Sequence, residues 1–314
     1  MGRLAPLLRI VNNYLTQAVK LTLMLDFPRR SCSNIIMNRL STAKRVQILA
    51  SLVEGNSLRS TSRMADVSVN TVTKLLVDLG KACAQFQDEA LRNLSCQRLQ
   101  CDEIWAFCYA RDKNAPEDKK WQFGFFGDVW TWTAICADTK LIPTWLVADR
   151  GPGSAWEFMQ DLAGRLANRV QPTTDGHKVY LNAVADAFQG QVDYAMLVKI
   201  YGKDTSEPET RYSPAKCNGT KKEAKIGDAD PDYVSMSYAE RQNLTMRMSM
   251  RRFTRLTNGF SKKAENHAHA IAIHFMYYNF ARIHKTPRVT PAMAAGVSDH
   301  VWPLEEIVGL LGSN

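Results

Sequence analysis

The sequence predicts an α/β protein: a mixed β-sheet, preceded by an all-α unit and followed by one long helix. Three observations predict it. Residues 42–86 carry only helical periodicity, punctuated by capping residues. Residues 98–149 switch to runs of aromatic and β-branched residues, and residues 154–200 then alternate helix, strand, helix, strand. Residues 237–256 return to strong helix formers, with neither Gly nor Pro inside.

At 314 residues and 45% apolar composition, the chain can hold a full core, and disorder is not its default state. A net charge of +9 favours a polyanionic partner, nucleic acid first and an anionic membrane surface second. The seven cysteines form no C-x-x-C and no Cys/His array with zinc spacing, so they read as reduced core thiols of a cytoplasmic protein. Residues 4–25 are apolar but interrupted by Arg9, Asn12, Asn13, Gln17 and Lys20, too broken for a membrane span or a signal peptide.

Residues 1–36 fit poorly with the rest of the chain and read either as a helical arm or as an extension before a natural start at Met37. Thr42 is placed to cap a first helix with Val46, Leu49 and Val53 on one face, ended by Gly55-Asn56. Ser57 caps a short second helix, Asp66-Val67 turns the chain, and Ser68 caps a third. Three short helices with a tight turn before the last describe a helix-turn-helix, here assigned to residues 37–94 with a helical linker at 81–94. The third helix would offer Asn70, Thr71, Thr73 and Lys74 to base edges and phosphates of double-stranded DNA.

Strands are expected at 98–108, 123–138 and 140–149, then a helix at 154–169, a strand ending in the turn at 172–177, a helix over N-A-V-A-D-A-F and a strand at 193–200. Hairpins first and crossovers after is the order of a ribonuclease-H-like mixed sheet, assigned to residues 95–290, with 291–314 as a tail. Residues 202–235 lack periodicity and read as a flexible insertion. In 237–256, Leu244, Met248 and Arg251 or Arg252 recur at helical spacing, so that stripe is expected to bury. Glu240 is the one acid there, with Arg247 and Arg251 near its face and Arg241 beside it. The bland reading of this stretch is a solvated basic face.

Three acids stand out. Asp102 sits mid-strand among apolar residues, where a charge needs a partner or a metal. Asp175 ends the fourth strand and Glu240 opens the last helix. In the expected sheet the first and fourth strands are neighbours and the helix crosses them, so the three carboxylates converge. Such an oxygen donor set suits Mg2+ or Mn2+, two ions supporting in-line attack at phosphorus. Alternation sends Glu103 to the opposite face from Asp102, as a supporting group or as the ligand itself if the register shifts by one. His177 is either an orienting group or a turn histidine, and Asp128, Asp138 and Asp149 read as structural.

The stretches C-D-E-I-W at 101–105, G-D-V-W-T-W-T-A-I at 127–135, T-T-D-G-H-K at 173–178, E-R-Q-N-L-T-M-R-M-S-M-R-R-F-T-R-L-T-N at 240–258 and H-F-M-Y-Y-N-F-A-R-I-H-K-T at 274–286 resemble the insertion-sequence-one family of bacterial DDE transposases. The resemblance runs from about Met37 to the C-terminus. It implies a helix-turn-helix joined to a ribonuclease-H-like domain that cuts and joins transposon ends with divalent metal. Asp102, Asp175 and Glu240 take the acidic-triad positions, and Asn279, Arg282 and His284 look like a motif that packs near the site or the DNA. It further implies terminal inverted repeats and target DNA as partners, a homodimer or higher oligomer on DNA, and a nucleoid-associated location. Residues 149–156 and the doubled Phe125-Phe126 depart from the pattern. A non-catalytic DNA-binding regulator and a nuclease of the same fold are the competing readings.

Overall fold

The computed structural model describes residues 40–115, 127–201, 217–254 and 258–312. Residues 1–36, Phe125-Phe126 and the first part of the expected insertion lie outside the described residues.

The chain opens on three helices, α1 Thr42–Val53, α2 Leu58–Ala65 and α3 Val69–Ala90. Serine side chains start all three, because a hydroxyl accepts from amides that have no carbonyl partner in the first turn. The cap of α1 is Ser41 rather than Thr42, which is the first helical residue. Asp66 turns the chain between α2 and α3 at φ 49°, a left-handed conformation that a short polar side chain tolerates. Most of the expected helical linker is the continuation of α3, which runs without a break to Ala90. It packs along α7 (Ala264–Met276) so closely that a Cβ on Gly80 would lie 2.4 Å from the His269 Cβ. The Gln87 amide donates to the Ala272 carbonyl of α7 at 3.0 Å. One hydrophobic core therefore extends from α1 through the sheet to the C-terminal helices.

The sheet has six strands: β1 Arg98–Cys108, β2 Gly127–Cys136, β3 Trp145–Ala148, β4 Gln171–Thr174, β5 Tyr194–Tyr201 and β6 Cys217–Ile226. Their order is β3-β2-β1-β4-β5-β6. β1 pairs antiparallel with β2 and parallel with β4, so the expected neighbours are neighbours. Helices α4 (Pro152–Ala163) and α5 (Val179–Phe188) carry the crossovers and pack on each other. Helix α6 (Ser237–Ser249) crosses β1 and β2, and two short helices, α8 Pro291–Ala294 and α9 Leu304–Gly309, end the chain. No helix among the described residues is long and apolar enough to cross a membrane.

Three expectations are corrected. Residues 217–226 are a strand, not a flexible insertion. Most of β6 is exposed, and its Lys and Glu side chains suit an edge strand while hiding the alternation that marks a half-buried one. Cys217 on it is exposed, whereas Cys83, Cys96, Cys101, Cys108 and Cys136 are buried free thiols as expected. The long helix stops at Ser249, where it meets the corner after α1: a Cβ on Gly55 would lie 2.8 Å from the Ser249 carbonyl oxygen. Arg251 thus sits on a separate short turn, Arg251–Phe253. The buried face of α6 is Ala239, Gln242, Asn243 and Met246, while Leu244 and Met248 are exposed, Met248 at 77%. The apolar side chains of that helix were a poor guide, because Asn243 on the other face has its partner, Asp102, in the sheet.

Candidate active site

Strand β1 outruns β4. The parallel pairing stops at Cys101 opposite Thr174, so Asp102 and Asp175 leave two neighbouring strands at the same level. That end is where a crevice opens in a parallel sheet. Gln100 and Asp102, two apart on β1, face α6 together. Gln100 Oε1 accepts from the first-turn amides of Tyr238 and Ala239 at 2.8 and 3.0 Å. Asp102 Oδ2 accepts from Asn243 Nδ2 at 2.8 Å. These bonds fix the start of α6 over β1 and carry Glu240 to the crevice. Asp102, Asp175 and Glu240 line one cleft of about 450 Å³, together with Arg150, His177 and Lys199.

Glu103 points to the other face, as alternation requires, and meets α5. Its side chain is fully buried; Oε1 accepts from the Tyr180 hydroxyl and Oε2 from Arg150 Nε at 3.0 Å. Arg150 also approaches Asp175 Oδ2 at 3.7 Å and stacks 4.6 Å over the Trp130 ring. Oxygen atoms of Asp102, Glu103 and Asp175 lie within 4.8 Å of one another, a spacing one cation could bridge. Both Glu103 oxygens are already held, however, while Glu240 is 47% exposed and paired laterally with Lys199 of β5. Asp102 and Asp175 are common to either donor set.

Burial raises the Asp102 carboxyl to about 7, and the neighbouring charges of Glu103, Asp175 and Glu240 add to this. Burial likewise raises Glu103, against the Tyr180 hydrogen bond and Arg150, which lower it. The cleft thus concentrates anionic groups whose mutual repulsion a hard cation would relieve. Asp175 Oδ1 accepts from the His177 amide at 2.9 Å, a bond that holds the turn after β4, and the His177 ring lies stacked near Trp132.

The remaining predicted residues divide. Asn70 and Lys74 are exposed near the start of α3, but Thr71 shares its hydroxyl with Ser68 and Thr73 donates to the Val69 carbonyl, so both hydroxyls serve the helix. Lys74 pairs with Asp78 at 2.7 Å. Arg241 and Arg247 are exposed on α6. Asn279, Arg282 and His284 are not brought to the cleft. Asn279 is fully buried, its amide both donating to and accepting from the Ile142 backbone at 3.0 Å, and His284 Nε2 bonds the Tyr278 carbonyl. That motif staples the C-terminal helices to the loop before β3. Asp128, Asp138 and Asp149 have structural partners in the Asp112 region, Arg98, and the Gly151 amide with Ser154.

Sequence reasoning missed Arg150, Tyr180, Lys199 and Asn243. Asn243, one turn after Glu240, was legible as a same-face residue. Arg150 belongs to the D-R-G-P-G-S run that read as a departure from the family pattern, where Asp149 Oδ1 accepts from the Gly151 amide and the Ser154 hydroxyl and so ties the turn to the start of α4.

No protein-family model and no curated protein matches the chain. Among solved structures it is similar to the piggyBac transposase synaptic complex with hairpin DNA, at 10% identity and TM-score 0.37, covering 94% of this chain and 75% of that one. It is also similar to the Mos1 Strand Transfer Complex, at 11% identity and TM-score 0.26, covering 87% and 85%. The Mos1 mariner paired end complex with Mn scores alike, at 11% and 0.26 over 87% and 86%. Likenesses this loose carry no argument about fold or activity.

Proposed function

We propose that the chain is a DDE-type transposase of the insertion-sequence-one kind, which binds element ends and catalyses metal-dependent DNA cleavage and strand transfer. The observation that carries the reading is the meeting of Asp102, Asp175 and Glu240, from β1, the end of β4 and α6, in a single cleft. Residues separated by 73 and 65 positions reach it through the strand order β3-β2-β1-β4-β5, which supports the ribonuclease-H-like assignment.

Asp102 and Asp175 would hold Mg2+ or Mn2+, with Glu240 completing the set from the helix; all donors are hard oxygens. When bound, such ions supply charge neutralisation and an activated nucleophile for in-line attack at phosphorus. The chain's own residues do the rest. Asn243 sets the Asp102 carboxylate, the His177 amide sets that of Asp175, and Gln100 sets the helix that bears Glu240. Arg150 neutralises Glu103 and borders the cleft with its guanidinium. The first three helices, read as a helix-turn-helix, would hold DNA through Asn70 and Lys74, with Arg241, Arg247 and Arg251 adding positive charge near the cleft. Two or more copies would act together on paired ends.

The test is a strand-transfer assay with purified protein, Mg2+ and DNA carrying candidate ends, beside Asp175→Asn. Metal-dependent joined products from the wild type alone are expected. Cleavage without joining would replace the transposase by a nuclease, and specific end binding without chemistry would leave a regulator.

A further inference from the structure

We propose that Leu244 and Met248 form an apolar wedge that enters DNA beside the cut phosphate and unstacks a base step there. The proposal rests on the transposase reading of the cleft and names two residues that reading does not use. Glu240, Leu244 and Met248 are spaced four apart on α6, so they fall along one slowly turning face of the helix. Glu240 lines the cleft at the head of that line. Leu244 is 43% exposed, and Met248, at 77%, is more exposed than any other large apolar side chain among the described residues. The opposite face of α6 is pinned to the sheet through Asn243 and Gln100, so this line is held outward.

The charge around the pair decides what covers it. Arg241 precedes it and Arg251 follows it, both exposed, and residues 241–263 contain no Asp or Glu. A second copy docking through the same patch would bring basic face against basic face, which repels, whereas a polyanion is attracted. DNA supplies both halves of the match: phosphates for the guanidinium groups and base faces for the apolar side chains. Leu and Met inserted between base steps are a general device for kinking a duplex, the unstacking cost being offset by the contacts the bend allows. Methionine suits the task because its unbranched, polarizable chain adapts to an irregular gap. Met248 lies eight positions after Glu240, about 12 Å along the helix at about 1.5 Å per residue. At about 3.4 Å per base along a strand, the unstacked step stands about three to four base pairs from the cut phosphate.

The experiment uses the full chain and two fluorescein-labelled duplexes of about 30 base pairs, roughly three helical turns, identical except for one central mismatch. Each is titrated in Ca2+ at several salt concentrations. A mismatched step costs less to unstack, so the wild type is expected to bind the mismatched duplex about tenfold more tightly. Leu244→Ala combined with Met248→Ala is expected to cut that preference to about twofold or less, with the salt slope unchanged because no phosphate contact is removed. Met248→Leu should keep the preference. A preference that survives in the double alanine variant would overturn the proposal, as would a wild type that binds both duplexes equally. Sedimentation without DNA tests the rival occupant: a wild-type dimer that the double variant turns into monomer would assign the pair to a second copy and overturn the wedge. Melting temperature serves as the folding control. A wild type that binds neither duplex would refute the DNA reading of the cleft as well, whereas duplex binding and strand transfer without any mismatch preference would refute the wedge alone, so the two failures are distinguishable.

Discussion

Acid should unfold this protein early, through histidines that the fold keeps neutral. Helix α7 buries His267, His269 and His274 against α3 and the sheet. Burial lowers His267 to about 3 and His274 to about 4, helped by the charges of Arg252 and Arg282 respectively. Both folded values lie below the ordinary histidine value of 6.5. The unfolded chain therefore takes up these protons first: the stabilisation is complete above pH 6.5 and is lost as pH falls toward the folded values. Between pH 7.5 and 5 each site costs about 2 kcal/mol, or roughly 4 kcal/mol together, a large share of a typical domain's 5–15 kcal/mol. His269 and His284 are shifted in the same direction and add to the effect. Asp102, raised by burial, works oppositely, so the measurement belongs in an Asp102→Asn background. Urea midpoints should fall across that window, and His267→Gln and His274→Gln should each remove about 2 kcal/mol of the fall. A midpoint that is flat from pH 7.5 to 5 in the Asp102→Asn background would refute the claim that these rings stay neutral.

Further outcomes follow from the same geometry. Since Asp102 sits near 7 without metal, Mn2+ affinity should weaken about tenfold per unit below pH 7, read by calorimetry. Asn243→Ala removes the amide that orients Asp102 and should cost about 10- to 100-fold in Mn2+ affinity at an unchanged fold, whereas Asn243→Gln restoring nothing would point to a strict distance requirement. Gly80→Ala drives a methyl into His269 and should lower stability by about 1–3 kcal/mol in urea melts. Lys74→Gln should weaken duplex binding and reduce its salt slope by about one; an unchanged slope would remove Lys74 from the interface.

Much of the framework was legible because it depends on local chemistry. The serine caps of α2 and α3 and the whole of β1 stand where side-chain type alone places them. The convergence of Asp102 and Asp175 followed from strand order, which hairpins and crossovers constrain strongly. The illegible parts share one cause: they are decided by contacts distant in sequence. The end of α6 is set by Gly55, some 190 positions away, and nothing in M-R-M-S-M-R-R announces it. Leu244 and Met248 looked like a core stripe, yet Asn243 and Gln242 are buried instead, with Asp102 waiting for the Asn243 amide. Lys199 and Arg150 read as ordinary charges until strand β5 and the turn after β3, which bear them, were arranged around the cleft. The N-F-A-R-I-H run was expected near the site or the DNA; it does not line the cleft, and Asn279 bonds the Ile142 backbone instead.

The continuity of α3 with the rest of the core has a metric consequence. A helix of 22 residues is about 33 Å long, close to one turn of duplex DNA. Its exposed N-terminal tip is fixed to α7 at the far end, and the corner after α1 rests on the last residue of the helix that bears Glu240. The two ends of this assembly cannot drift relative to each other without breaking buried packing. If the tip of α3 grips DNA, the molecule acts as a ruler: the gripped sequence and the cut phosphate are separated by a constant number of base pairs. Inserting a base pair between them would then move the phosphate out of reach rather than bend the protein to follow it.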